Sequence, residues 1–548
     1  MSYTNIKAPW WMLLLVLGTA LARDNDFGIE HDDHGTHEPP PKGTGSALCV
    51  SGVSSGFPCR NIELLSRLPI ADIGGGSGAD SWGWKDAQTG RYFAIVARSN
   101  GTAFIEVSNP SAPLYLGNLP STSGQQPWRD VKVYADHAFI VADGINGHGM
   151  QVFDLARLRD VSSPQTFDPD VLYTGIGSAH NIAINEDSGF AYIVGGDACS
   201  GGLHMVDIST PQQPRLAGCY SGDGYTHDVQ CVSYDGPDSD YAGREICLAS
   251  NEDSVTIVDV SSKSSPQMLS KALYPETAYS HQGWLDESMS LFFLGDEIDE
   301  LSFGMNTRTL IFDVQDLDNP VFLGAHQHGT TSIDHNLYVK GDYLYQANYR
   351  SGLRILKIKR DPTVRLEEVA YFDTEPENDS LGFTGAWNVY PFFDNDTVLV
   401  SDVNNGLFVL RVALDDTADG PLNGAISGAW TAQGFNDQGL MLLVGETVSG
   451  PFVYFAWFLF LNGEPFWLTG AQAFQYGQDE VTIPTQRLSG LEFLAQTDAE
   501  ATRLDIGAVN IHVHSCNELH VDYDFEGLGA DELTFTRLAG VQGRACSD

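Results

Sequence analysis

Between Ser81 and Val412 one pattern of apolar and polar positions recurs seven times. In its clearest copy the polar pair His180-Asn181 opens a short apolar run to Ile184. A second run, Ala191–Val194, and a third, Leu203–Ile208 with Asp207 inside it, come next. Short apolar-rich runs bounded by turn residues predict strands rather than helices. The opening pair aligns as Trp82-Gly83, Arg129-Asp130, His180-Asn181, His227-Asp228, His281-Gln282, His335-Asn336 and Trp387-Asn388, in steps of 47, 51, 47, 54, 54 and 52 residues. A second column holds the same register: Glu106, Asp154, Asp207, Asp259 and Asp313 close the third run, with Lys357 and Arg411 in that slot of the last two units. Units of this length cannot bury their own faces, so they predict the blades of a seven-bladed β-propeller.

The segment Ile62–Ile70 precedes the first unit but resembles the stretches just after the acidic column in other units, such as Leu114-Tyr115-Leu116-Gly117 and Val321-Phe322-Leu323-Gly324. Unit seven lacks a copy of its own. An N-terminal strand is therefore expected to complete the last blade and remove an exposed sheet edge. The chain reads as all-β, with the propeller over 49–414 and a small C-terminal β domain, sandwich- or barrel-like, over 421–548. In that domain Phe452–Leu461 and Pro465–Leu468 flank Asn462-Gly463 as a hairpin. Alternation along Phe452–Leu461 is broken, which predicts cover on both faces. Further strands are expected at Glu492–Ala495, Asn510–His514, Leu519–Phe525 and Leu533–Leu538.

Residues 1–22 read as a signal peptide, with Lys7, an apolar core from Trp10 to Leu17 and Ala20-Leu21-Ala22 as the cleavage site. Residues 23–48 are rich in His, Asp and Pro and read as a disordered linker. The 8 cysteines fit an oxidising compartment and pair by neighbourhood as Cys49–Cys59, Cys199–Cys219, Cys231–Cys247 and Cys516–Cys546. A secreted, periplasmic or cell-surface protein is expected, without a transmembrane segment in the mature chain. The net charge of −43 would repel a phosphate backbone and excludes nucleic acid as a partner.

A propeller places the first residues of each innermost strand at one end of the central channel. His180, His227, His281 and His335 would then share one mouth, with Asp130, Arg350 and Trp387 beside them as ligand-binding candidates. With Asp296 and Glu297 the histidines form a candidate metal set, because imidazole and carboxylate suit zinc or manganese and carboxylates suit calcium. Two other readings compete: each histidine braces the next blade through a hydrogen bond, or the row performs acid–base catalysis. The run Asp296-Glu297-Ile298-Asp299-Glu300 also reads as a solvated acidic loop, and the periodic acidic column as a turn-capping device. No phosphate loop or His-Glu-x-x-His helix occurs in the sequence.

The strings Gly149-Met150-Gln151-Val152-Phe153-Asp154, Ala179-His180-Asn181, Gly202-Leu203-His204-Met205-Val206-Asp207, Tyr225-Thr226-His227-Asp228, His281-Gln282-Gly283-Trp284 and Asn348-Tyr349-Arg350-Ser351-Gly352 resemble the choice-of-anchor B domain family, secreted propellers built from LVIVD-type repeats. The resemblance covers Cys49 to Val412 and implies an exported propeller with a variable C-terminal part. The expectation is a binding or interaction module for an extracellular or periplasmic protein or small ligand. Its alternatives are a metal-dependent hydrolase using the same histidines and a structural cell-surface component.

Overall fold

Blade 3 shows how the pattern becomes structure. Its strands Asn181–Asn185, Phe190–Val194, Leu203–Asp207 and Arg215–Tyr220 pair antiparallel in sequence order. The inner three strands are mostly buried, while the outermost carries exposed positions. The computed structural model describes residues 46–49, 52–412, 414, 422–432, 434–435, 438–447, 450–474, 478–489, 502–515 and 517–540. The expected signal peptide, most of the linker, the strand at Glu492–Ala495 and the pair Cys516–Cys546 lie outside the described residues.

Seven sheets built on this plan form the propeller. Their innermost strands are Gly78–Lys85, Arg129–Tyr134, Asn181–Asn185, Asp228–Ser233, Ser280–Leu285, Asn336–Lys340 and Ala386–Tyr390. The N-terminal strand Ile62–Leu68 closes blade 7 by pairing antiparallel with Gly406–Val412, from Ile62 opposite Val412 to Leu68 opposite Leu407. Disulfides join Cys49 to Cys59, Cys199 to Cys219 and Cys231 to Cys247.

The acidic column caps turns. Asp154, Asp207, Asp259 and Asp313 each accept a hydrogen bond from the backbone N–H two residues on, at Ala156, Ser209, Ser261 and Gln315, over 2.9–3.0 Å. An aspartate that satisfies its own turn in this way fixes the exit from the third strand.

Unit one differs from the sequence alignment. A bulge between Gly78 and Ser81 shifts the register, so Trp82 pairs with Ile95 and the position equivalent to Asp130 is Asp80. Asp80 accepts from Val131 N at 3.2 Å as Asp130 accepts from Ile182 N at 2.7 Å, each reaching the next blade. The extra bulge residue misleads a count along the sequence, because Trp82-Gly83-Trp84 imitates the opening of a strand.

The chain divides into two compact units, 1–413 and 414–548. In the second, eight strands from Gly428–Ala432 to Gly529–Gly540 form a closed barrel, with Gly428 opposite Gly540 and Ala432 opposite Phe535 at the closure. Trp430, Phe455, Trp457, Ile483, Val509, Ile511 and Phe535 fill its interior. The expectation that both faces of Phe452–Leu461 are covered fails: Tyr454, Phe458 and Phe460 are exposed, and Phe458 stacks on exposed Trp467. Among the described residues no helix is long and apolar enough to cross a membrane.

Candidate functional site: a histidine row at one end of the channel

Each innermost strand of blades 3 to 6 begins within one residue of a histidine, so closing the ring sets four imidazoles side by side. Ring centroids are 4.4 Å apart from His180 to His227, 4.1 Å from His227 to His281 and 4.5 Å from His281 to His335. Trp387 of blade 7 continues the row 4.8 Å from His335. The row is not an open mouth: His180, His227, His281 and His335 are 6, 1, 2 and 4% exposed. Burial, with the neighbouring imidazoles adding to it, pushes His281 well below the usual histidine range, so its ring is neutral at pH 7.

Hydrogen bonds fix the tautomers. His227 donates from Nδ1 to the His281 carbonyl at 3.0 Å, and His335 from Nδ1 to the Trp387 carbonyl at 2.6 Å. His180 donates from Nδ1 to Asp143 at 3.2 Å. Carbonyls only accept, so the proton stands on Nδ1 and the ring's lone pair on Nε2. These contacts do brace blades: His227 links blade 4 to 5, and His335 links blade 6 to 7. Asn181 on the His227 carbonyl, Gln282 on Leu337 N and Asn388 on the Ser81 carbonyl, at 2.8–2.9 Å, add the same service at other joints, the last closing blade 7 on blade 1.

Bracing and ligation are compatible, because metal-bound histidines usually donate their other nitrogen to a carbonyl or carboxylate. Glu297 turns into the row from the loop after Leu291–Asp296. Its carboxylate lies 3.6 Å from His281 Nε2 and 3.8 Å from His335 Nε2, and accepts from the Tyr349 hydroxyl at 2.8 Å. Ligand atoms about 2.1 Å from a tetrahedral metal stand about 3.4 Å apart, so small shifts would let this trio hold an ion; the three ligand atoms lie within 4.8 Å of one another.

The other sequence candidates go elsewhere. Asp296 is buried and accepts from Tyr274 Oη, Ala278 N and Tyr279 N. Arg350 pairs with Glu375 and bonds Thr384 and Ser380 in the loop before blade 7. Asp130 lies deeper in the channel, where it and Asp80 hold Lys132 at 2.5 and 3.0 Å. Burial opposes the charge of Lys132, but the two carboxylates keep its pKa well above the usual range. Burial and the charge of Asp130 push Asp228 in the same layer up to about 7.

Sequence reasoning missed two features. The acidic run is not solvated: Asp296, Glu297, Asp299 and Glu300 are all buried, and Asp334 joins Asp299 and Glu300 in a cluster. Burial and the adjoining carboxylates push Glu300 up to about 12, and burial with Asp296 pushes Asp299 up to about 7. A string of acids carries no period that distinguishes a loop folded inward from one left in water; the adjacent pair Asp334-His335 was the only local hint. The second feature is a cavity of about 360 Å³ at the far end of the innermost strands, walled by Trp82, Trp284, Tyr338, Tyr390 and Phe392. Trp284, Tyr338 and Tyr390 each come three positions after the first residue of their polar pair, a column the repeat contained.

Residues 89–119, 176–221 and 243–272 match the family model of the LVIVD repeat. No curated protein sequence matches the chain. Among solved structures, a protein from Lactobacillus plantarum is similar over 56% of this chain and 85% of its own, at 13% identity and a TM-score of 0.41. A functionally unknown protein from Desulfotomaculum acetoxidans DSM 771 is similar over 56% of this chain and 88% of its own, at 13% identity and a TM-score of 0.37.

Proposed function

We propose that the chain is an exported binding module whose propeller holds a divalent transition metal on His281, Glu297 and His335, with His227 and His180 next in the row. The observation that carries this reading is the approach of Glu297 to both Nε2 atoms, combined with the Nδ1 hydrogen bond that sets the tautomer of His335. Neutral imidazoles with one carboxylate suit zinc or manganese. The depth of the row favours a held ion over turnover, since a catalytic metal must offer a coordination position to substrate. Export is supported by the three disulfides, by the leader-like sequence of residues 1–22, and by the resemblance to choice-of-anchor B proteins, which implies an exported propeller.

Zinc titration of the full chain by calorimetry tests this. The barrel carries its own exposed cluster of His514, Glu518 and His520, so the titration belongs in a His514→Ala, His520→Ala background. One zinc per chain is expected there, and adding His281→Ala and His335→Ala should weaken it by more than about 100-fold, beyond what loss of a supporting residue produces. If the background protein binds no zinc, and the histidine variants are merely less stable, the row is a brace alone.

A further inference from the structure

We propose that Asp299, Glu300 and Asp334 form a second, separate site in the propeller, for a hard divalent cation of the calcium class. Their side chains come from the segment after Leu291–Asp296 and from the residue before His335, and they are 0, 0 and 1% exposed. One carboxylate oxygen from each lies within 4.8 Å of the others. Arg308 donates to Asp299 Oδ2. The remaining five oxygens, Asp299 Oδ1, both of Glu300 and both of Asp334, find no hydrogen-bond partner outside the cluster, and within it only the Glu300 carboxyl links to Asp299 and Asp334. The charged groups acting on Asp334 from the packed elements are Asp296, Glu297 and Asp299, all acidic.

Asp296, in the same loop and equally buried, is by contrast fully supplied by Tyr274, Ala278 and Tyr279. The orphaned oxygens therefore belong to the cluster and not to the loop in general. Gly295 belongs to the same arrangement: a Cβ there would stand 2.1 Å from Asp334 Oδ2, so only glycine lets that carboxylate lie against the strand. Buried carboxylates without partners must be neutralised, either by protons shared among them or by a cation. One arginine facing three acids leaves the cluster short of positive charge. Three converging carboxylates offer the hard oxygen ligands that calcium takes at 2.3–2.6 Å, and none of the nitrogen or sulfur that zinc prefers.

The test is calcium titration of the chelator-treated full chain at neutral pH, read by calorimetry and by thermal unfolding. One saturable site per chain and a rise in Tm of about 5 °C are expected, since a ligand bound only to the folded state stabilises it. Glu300→Gln with Asp334→Asn should abolish the heat and leave a Tm in chelator at or above that of the parent, because orphaned charges are gone. If that pair does not fold, Asp334→Asn alone is titrated with the same expectation. In the His514→Ala, His520→Ala background, His281→Ala with His335→Ala should lose zinc and keep calcium, so the two sites fail independently. No calcium heat from the parent, with a Tm that calcium leaves unchanged and that falls as pH rises, would overturn the proposal in favour of shared protons.

Discussion

A chain that begins at Pro69 is expected to lose cooperative unfolding of the propeller. Such a chain lacks Ile62–Leu68, the outer strand of blade 7, and so exposes the ladder edge of Gly406–Val412. Ile62, Leu64 and Leu65 are buried, and Leu65 packs in the cluster that includes Ile73, Val96, Leu407 and Val409. Losing one buried leucine or isoleucine costs about 2–5 kcal/mol. Three of them, with a strand of backbone hydrogen bonds, rival the whole stability of about 5–15 kcal/mol that a domain possesses. Near-ultraviolet circular dichroism through a thermal ramp reads the result, and a peptide spanning Asn61 to Pro69 should restore part of the transition in trans. A truncated chain that melts cooperatively within a few degrees of the parent would show that closure by this strand is dispensable.

Acid should unfold the propeller through two buried histidines outside the row. Burial lowers His148 to about 4 and His328 to about 3, with Arg129 adding to the first and His326 to the second. Both folded values lie below the unfolded value of about 6.5, so the unfolded state binds more protons. Their contribution is complete above pH 6.5 and is lost progressively as pH falls through 4 and then 3. At about 1.4 kcal/mol per unit, each is worth on the order of 3–5 kcal/mol. Buried acids run the other way. Burial raises Glu375 to about 7 and Asp373 to about 6, so their protonated forms favour the fold at low pH and that support fades as pH rises through those values. Chemical denaturation of the parent and of His148→Asn, His328→Gln between pH 6.5 and 4 separates the two effects. The variant is expected to lose stability over that range at a visibly shallower slope, and equal slopes would remove the burial of these two histidines as the cause.

Much of this architecture was legible because a propeller writes its period into the chain. The polar pairs at His180-Asn181, His227-Asp228 and His335-Asn336 mark strand starts, and the acidic column marks the turns that Asp154, Asp207, Asp259 and Asp313 cap. The missing last strand of unit seven pointed to Ile62–Leu68. What the sequence hid lies where local geometry departs from the count. The bulge before Ser81 moved blade 1 by residues that no periodicity reports. Arg350 sits beside Tyr349 of the row, yet its guanidinium turns to Glu375, a choice set by a loop about 25 residues away in sequence. The five acidic and apolar residues from Asp296 to Glu300 read as solvent-facing because charged residues usually are. Only the fold shows that one aspartate caps the backbone, the glutamate beside it enters the histidine row, and the next two acids meet Asp334.

Ring closure turns histidines distant in sequence into one place for an ion, held by His281 and His335 with Glu297. Anomalous diffraction at the zinc edge from a crystal of the zinc-loaded chain tests it most directly. A peak between His281 Nε2, His335 Nε2 and the Glu297 carboxylate is the predicted result. A peak confined to His514 and His520 of the barrel, with none at the row, would contradict it.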